Sequence, residues 1–280
     1  MNSLFVEHLT VIDCAYLDAA RGLVGESWIV DVELLGDLDS QSMVLDFGEV
    51  KRRLKRDIDA GLDHTLLVPG RASELTQASY DGISEILFRS ELGDIEHRGP
   101  ECSVSTLPML EITETQVADY LEQNLTQDMP PNVARLRIRL RTEDIDGPYY
   151  HYVHGLKKHQ GQCQRIAHGH RSRLEIRVDG ARDAALEQKI ALAWTDIYLG
   201  TQEDEIARSN GRVRFAYNAP EGRFELQLPE NQVDMLDSDT TVERIAEDLV
   251  RRVQRKRPGQ AVEVRAYEGV RKGSVARSGP

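Results

Sequence analysis

The chain has 280 residues, 40% of them hydrophobic and 29% charged, with a formal net charge of −12. That is the composition of an ordinary globular protein long enough for two domains. The acidic balance argues against nucleic acid as a partner, because phosphate neutralisation needs a basic surface. No apolar run approaches the ~20 residues of a membrane-spanning helix. The opening MNSLFVEHLTVID lacks a basic segment followed by a long apolar core, so it is not read as a signal peptide. Cys14, Cys102 and Cys163 are odd in number and far apart, which fits reduced thiols in a cytoplasm better than a disulfide framework.

In chain order, the first half opens with two extended segments, roughly residues 4–16 and 27–35. MVLDFGEVKRRLKRDI then predicts a short strand running into a helix, with Phe47, Val50, Leu54 and Ile58 at helical spacing. Residues 69–110 read as an insertion without clear periodicity apart from SYDGISEILFRS. A second helix is predicted at about residues 113–125, where Thr113 and Gln116 form a capping-box signature. VARLRIRLRTE closes the half as an alternating strand.

The second half repeats much of this rhythm, and Asp146-Gly147-Pro148 marks the boundary, giving domains at 1–146 and 147–280. Strands at about 149–154 and 171–178 form its opening pair. GTQEDEIARS reads as a solvated acidic loop. RVRFAYNAPEGRFELQL reads as a hairpin around a Pro/Gly turn, standing where the first half has its first helix. A helix at about 241–254 is assigned to a Thr240-x-x-Glu243 start, its basic end suiting the helix dipole. AVEVRAYEG is the final strand, and residues 271–280 read as a disordered tail. Trp28 and Trp194 read as packing residues.

The chemistry is concentrated in YVHGLKKHQGQCQRIAHGH, which carries His154, Cys163, His168 and His170. A histidine, a loop and then His-x-His is the form of a three-nitrogen zinc site with an open fourth position, the mark of a catalytic rather than a structural ion. His168 and His170 share one face of a strand. An adjacent antiparallel strand ending at His154 would complete the set. Taken singly, each is more economically a surface or hydrogen-bonded histidine. Four of the chain's eight histidines crowd this stretch beside a cysteine, which favours metal. His159 does not fit the spacing and reads as solvated.

These residues carry a resemblance. Each half is similar to a domain of the 6-pyruvoyl-tetrahydropterin and 6-carboxytetrahydropterin synthase family. Its pattern runs Ala-His-Arg-Leu, a Cys-containing loop, His-Gly-His-Asn-Tyr, Met-Val-x-Asp-Phe, Leu-Asp-His-x-x-Leu, a Pro-Thr-x-Glu helix start and a last strand bearing a glutamate. The second half keeps His154-Gly-Leu, Cys163 and His168-Gly-His170 but has no Leu-Asp-His segment. The first half keeps MVLDFGEVK at 43–51 and LDHTLL at 62–67. It has lost the ligands: Ala15 or Tyr16 stands at the first histidine, and VGESW replaces His-Gly-His-Asn-Tyr.

The resemblance implies an α+β fold of tandem tunnelling-fold (T-fold) domains. Each would be a four-stranded antiparallel sheet with helices on one face, and homo-oligomers would close the sheets into a barrel. It implies Zn2+ as cofactor, held by His154, His168 and His170, and 7,8-dihydroneopterin triphosphate as the pterin substrate, with loss of triphosphate. Cys163 would be the general base and Asp63-His64 the partner acid/base, reaching the zinc of a second half in the same or an adjacent chain. Glu268, with Glu143 as its first-half equivalent, would take the guanidine-like edge of the pterin. Arg271 and Lys272 would be placed to meet the triphosphate. The 6-carboxytetrahydropterin type, feeding 7-deazaguanine (queuosine) synthesis, is the leading product class. The 6-pyruvoyl type and a non-catalytic pterin- or purine-binding relative are the alternatives.

Overall fold

A computed structural model describes residues 1–127 and 129–278. The first half runs β1 (Asn2–Asp18), β2 (Gly22–Gly36), α1 (Phe47–Gly61), β3 (Leu66–Pro69), β4 (Leu75–Tyr80), β5 (Ile83–Ser90), β6 (Gly93–Pro100), β7 (Val104–Leu107), α2 (Glu114–Thr126) and β8 (Val133–Arg141). The second runs β9 (Tyr149–His154), β10 (His168–Val178), β11 (Ala181–Arg182), α3 (Ala184–Ala193), β12 (Ile197–Thr201), β13 (Glu205–Ser209), β14 (Arg212–Ala219), β15 (Gly222–Pro229), β16 (Val233–Leu236), α4 (Val242–Lys256), β17 (Val262–Tyr267) and β18 (Gly273–Arg277). With β11 and β18 set aside, the two halves have the same element order.

Each half has its own curled sheet, wider than four strands because short parallel strands extend one edge. The first is ordered β7-β3-β1-β2-β8 and the second β16-β12-β9-β10-β17-β18. β1, β2 and β8 pair antiparallel, as do β9, β10 and β17; β3 and β12 join in parallel. Helices cover one face of each. Val50, Leu54 and Ile58 of α1 and Val117, Leu121 and Leu125 of α2 bury their stripe against the first sheet. Ile245, Leu249 and Val253 of α4 do so in the second. Asp46 caps α1 by accepting from the N–H groups of Gly48 and Glu49, and Thr113 caps α2 at Gln116.

A third sheet joins the halves. Its order is β13-β14-β15-β6-β5-β4, with β6 of the first half pairing β15 of the second at Glu96–Gln227, His97–Leu226 and Arg98–Glu225. Beneath it lies a core shared by both halves, including Leu66, Phe88 and Ile95 with Val153, Phe215 and Phe224. The two curled sheets also meet directly. A Cβ on Gly169 would fall 2.5 Å from Gly25 Cα, and one on Gly25 would fall 2.0 Å from the Tyr152 carbonyl oxygen. A glycine is therefore required in each half's x-Gly-x segment, whether or not its flanking histidines survive.

Several expectations are corrected. Residues 69–110 contain β4–β7, the counterpart of β13–β16, so the hairpin of the second half matches β5–β6 and not the first helix. The counterpart of α1 is α3, whose sequence AALEQKIALA has too many apolar residues to show an amphipathic stripe. Met43 and Val44 form no strand. The cap of α4 is Thr241, which accepts from Arg244 N–H, and not Thr240. GTQEDEIARS includes β13. The tail forms β18, paired along β17, rather than a disordered segment; its Gly279 and Pro280 lie outside the described residues. Trp28 and Trp194 are buried packing residues, as expected.

Candidate metal centre and its cross-domain dyad

The β9–β10 pairing sets His154 directly opposite His168, with His170 opposite Tyr152. Alternation turns all three imidazoles to one side. They are fully or almost fully buried, with ring centroids 4.4–5.5 Å apart. One ring nitrogen from each lies within 4.8 Å of the others. His154 Nδ1 donates to the Thr240 carbonyl at 2.9 Å and His168 Nδ1 to the Arg165 carbonyl at 3.0 Å. A carbonyl only accepts, so Nδ1 carries the proton and Nε2 keeps its lone pair. Burial, reinforced by the neighbouring imidazoles, holds both rings well below the usual histidine range, so they are neutral.

The Nε2 atoms of all three histidines are buried without a hydrogen-bond partner. Orphaned buried polar atoms are costly, and three converging ring nitrogens suit a divalent cation of nitrogen preference. The residues present fit such an ion. Glu268 Oε1 lies 4.0 Å from Nε2 of both His154 and His170, at the less buried side of the cluster.

The first half delivers Asp63 and His64 to the same place, within one chain. Asp63 Oδ2 is 2.7 Å from His64 Nδ1, and its Oδ1 accepts from the Asp13 backbone N–H at 2.8 Å. His64 takes a left-handed φ of 54°, and its N–H donates to the Asp13 carbonyl at 2.7 Å. That fixed backbone turns the ring to within 5.3 Å of His168, centroid to centroid. His64, Cys163 and His168 form a second group whose ligand atoms lie within 4.8 Å of one another. Burial alone would push His64 down, but hydrogen bonds to Asp63 and Cys163 outweigh it and raise its pKa to about 10. Cys163 is half-buried in a short 3-10 turn, and His159 is exposed.

Other expected residues lie differently. Glu143 is buried beside Arg271, whose Nε is 3.7 Å away, and its backbone carbonyl accepts from Arg171; its contacts are not with the three histidines. Lys272 is committed to Asp13 at 2.9 Å. Lys272 thus ties the β17–β18 turn to the first half, whereas Arg271 beside it is largely exposed.

Asp13 escaped the sequence reading, although a charge inside the apolar run TVIDCAYL was a visible signal. Buried at the interface, it lies 3.2 Å from His170 Nδ1, off the hydrogen-bond axis. Burial raises its carboxyl, but His170, Lys272 and Ser27 outweigh this and hold it well below the usual range. Thr240 and Arg165 were missed because they act through backbone carbonyls, which side-chain patterns do not reveal.

The pseudo-symmetric position in the first half lacks the three histidines. Tyr16 pairs with Val24 as His154 does with His168, so Tyr16, and not Ala15, replaces the first histidine, and Glu26 stands where His170 would. Asp196 (φ 53°) occupies the place of His64, two residues before Tyr198, which pairs with Val153 as Leu66 does with Ala15. Arg21 clasps it at 2.8 and 2.5 Å and donates to Tyr16 Oη at 2.9 Å.

The family model described as 6-pyruvoyl tetrahydropterin synthase matches the chain twice, over residues 14–144 and 148–278. The chain belongs to the 6-pyruvoyl tetrahydropterin synthase family. Its fold is the α+β tunnelling fold in tandem. Solved structures similar to it include the 6-pyruvoyl tetrahydropterin synthase of Plasmodium falciparum, 21% identical, covering 50% of this chain and 90% of that chain with a TM-score of 0.41. The Plasmodium vivax enzyme is 18% identical, with 50% and 97% covered and a TM-score of 0.39. Comparison with curated proteins finds no significant match. No helix among the described residues is long and apolar enough to cross a membrane.

Proposed function

We propose that this family member is a zinc-dependent pterin synthase acting on 7,8-dihydroneopterin triphosphate with loss of triphosphate and release of the two outer side-chain carbons, of the 6-carboxytetrahydropterin type that serves 7-deazaguanine synthesis. The observation that carries the reading is the convergence of three unpartnered buried Nε2 atoms from one half with the Asp63–His64 dyad of the other. His154, His168 and His170 would hold the ion, which as a Lewis acid would polarise the substrate side-chain oxygens and acidify the neighbouring C–H.

The chain's own residues then divide the proton transfers. Cys163, as thiolate, removes the proton from that carbon. His64, oriented by Asp63 and carrying its proton beside the thiol, stabilises the thiolate and returns a proton to the developing product. Glu268 accepts the paired N–H groups of the pterin edge, fixing the side chain over the cluster. In this division of labour, residues 1–146 supply the dyad and 147–280 supply metal, cysteine and carboxylate. Chains join through free strand edges such as β8 into a homo-oligomeric barrel.

The test is turnover. Purified protein with zinc and 7,8-dihydroneopterin triphosphate should release triphosphate, with the product identified by mass spectrometry. Release of a 6-pyruvoyl product would reassign the type. Tight pterin binding without release would reassign the protein as a binding module.

A further inference from the structure

We propose that Asp13, from the half that has no metal ligands, is a positioning residue of the other half's centre. It would set the ring of His170 from behind and seat the Glu268 hairpin above it. The inference rests on the metal-site reading given above.

His170 differs from its two companions. His154 and His168 are oriented by backbone carbonyls at 2.9 and 3.0 Å. Nδ1 of His170 meets no carbonyl and makes no hydrogen bond; its neighbour is the carboxylate of Asp13, with Oδ1 3.2 Å away, off the hydrogen-bond axis. A carboxylate behind a metal-ligating imidazole fixes the tautomer, aims the ring and raises its basicity. Asp13 is itself held. Ser27 Oγ donates to Oδ1 at 2.5 Å, Lys272 Nζ to Oδ2 at 2.9 Å, and its backbone is locked to Asp63 and His64.

The same carboxylate seats the β17–β18 turn. Lys272 ties the turn's far side to Asp13, and Gly269 N–H donates to Ser172 Oγ at 2.9 Å. A Cβ on Gly269 (φ 69°) would fall 2.5 Å from Asp13 Oδ1, so the turn lies directly on the carboxylate. Glu268, the preceding residue, is thereby carried to 4.0 Å from two of the orphaned nitrogens. At the pseudo-symmetric position the order is exchanged. His151 stands in the place of Asp13 and Glu26 in that of His170, 3.7 Å apart. The carboxylate lies behind an imidazole on the side that keeps its ligands.

The experiment is zinc titration of the full chain against a chromophoric chelator, with zinc alone as the probe. Asp13→Asn should weaken zinc about 10–100-fold. Lys272→Met removes the competing ammonium from Oδ2 and leaves Asp13 to His170 and Ser27, so zinc affinity should equal or exceed that of the wild type. Equal affinity in Asp13→Asn and wild type, with only a lower unfolding temperature of the metal-free protein, would make Asp13 merely structural and overturn the inference. If Asp13→Asn does not fold, a tenfold loss in Lys272→Met overturns it instead. Absence of zinc binding by the wild type would remove the metal-site reading itself, a distinguishable outcome.

Discussion

The imidazoles of His64 and His168 stand 5.3 Å apart although they belong to different repeats of the chain. Neither repeat alone contains both the three-histidine cluster and the Asp63–His64 pair. The close approach of Gly25 and Gly169 brings the two partial sets together, and the β6–β15 pairing holds them there.

Because dyad and histidines meet within one chain, two inactive variants should not rescue each other. Co-expressed His64→Ala and His168→Ala chains are expected to form mixed oligomers with no more activity than either alone. Activity approaching a quarter or more of wild type would mean that the site is built between chains.

Cys163→Ala should lower triphosphate release by ~10²–10⁴-fold, the range for loss of a general base, while bound zinc stays unchanged by elemental analysis. Loss of zinc in this variant would make the thiol a ligand and remove it from the proton transfer.

Glu26 gives a pH-dependent prediction. Burial raises its carboxyl from 4.5 to about 7, opposed by the Ser27 N–H and Arg171. The folded state therefore binds the extra proton between those values, and stability is lost as pH rises through that window. Glu26→Gln removes a penalty of roughly 3 kcal/mol at pH 8 and little at pH 4. Thermal unfolding should show a higher midpoint for the variant at pH 8 only; an equal gain at both pH values contradicts the assignment.

Gly169→Ala should destabilise the fold by at least ~2 kcal/mol, since overpacking at a backbone contact forces the sheets apart. Denaturant unfolding with an unchanged midpoint would show that the halves separate without cost.

Much of the site was legible because its spacing follows strand geometry. His168-x-His170 shares a face by alternation alone, and His154 needed only an antiparallel neighbour. The dyad was legible through resemblance, since Leu-Asp-His has no local meaning beyond a turn. What stayed hidden depended on tertiary contact. Asp13 acquires its role from a ring and an ammonium group contributed by the distant half. Thr240 was misread as a cap because the adjacent Thr241 offers the same side chain one residue later. Apart from β5, whose segment SYDGISEILFRS stood out, the short strands of 69–110 lack alternation strong enough to read, and they become recognisable when paired with one another and with β15.

Zinc-edge X-ray absorption on protein loaded with one equivalent of zinc tests the central claim most directly. The account predicts a shell of three imidazole nitrogens at about 2.0–2.1 Å and no sulfur. A zinc–sulfur distance of about 2.3 Å would move the ion to the His64–Cys163–His168 group, and failure to take up zinc would contradict the account outright.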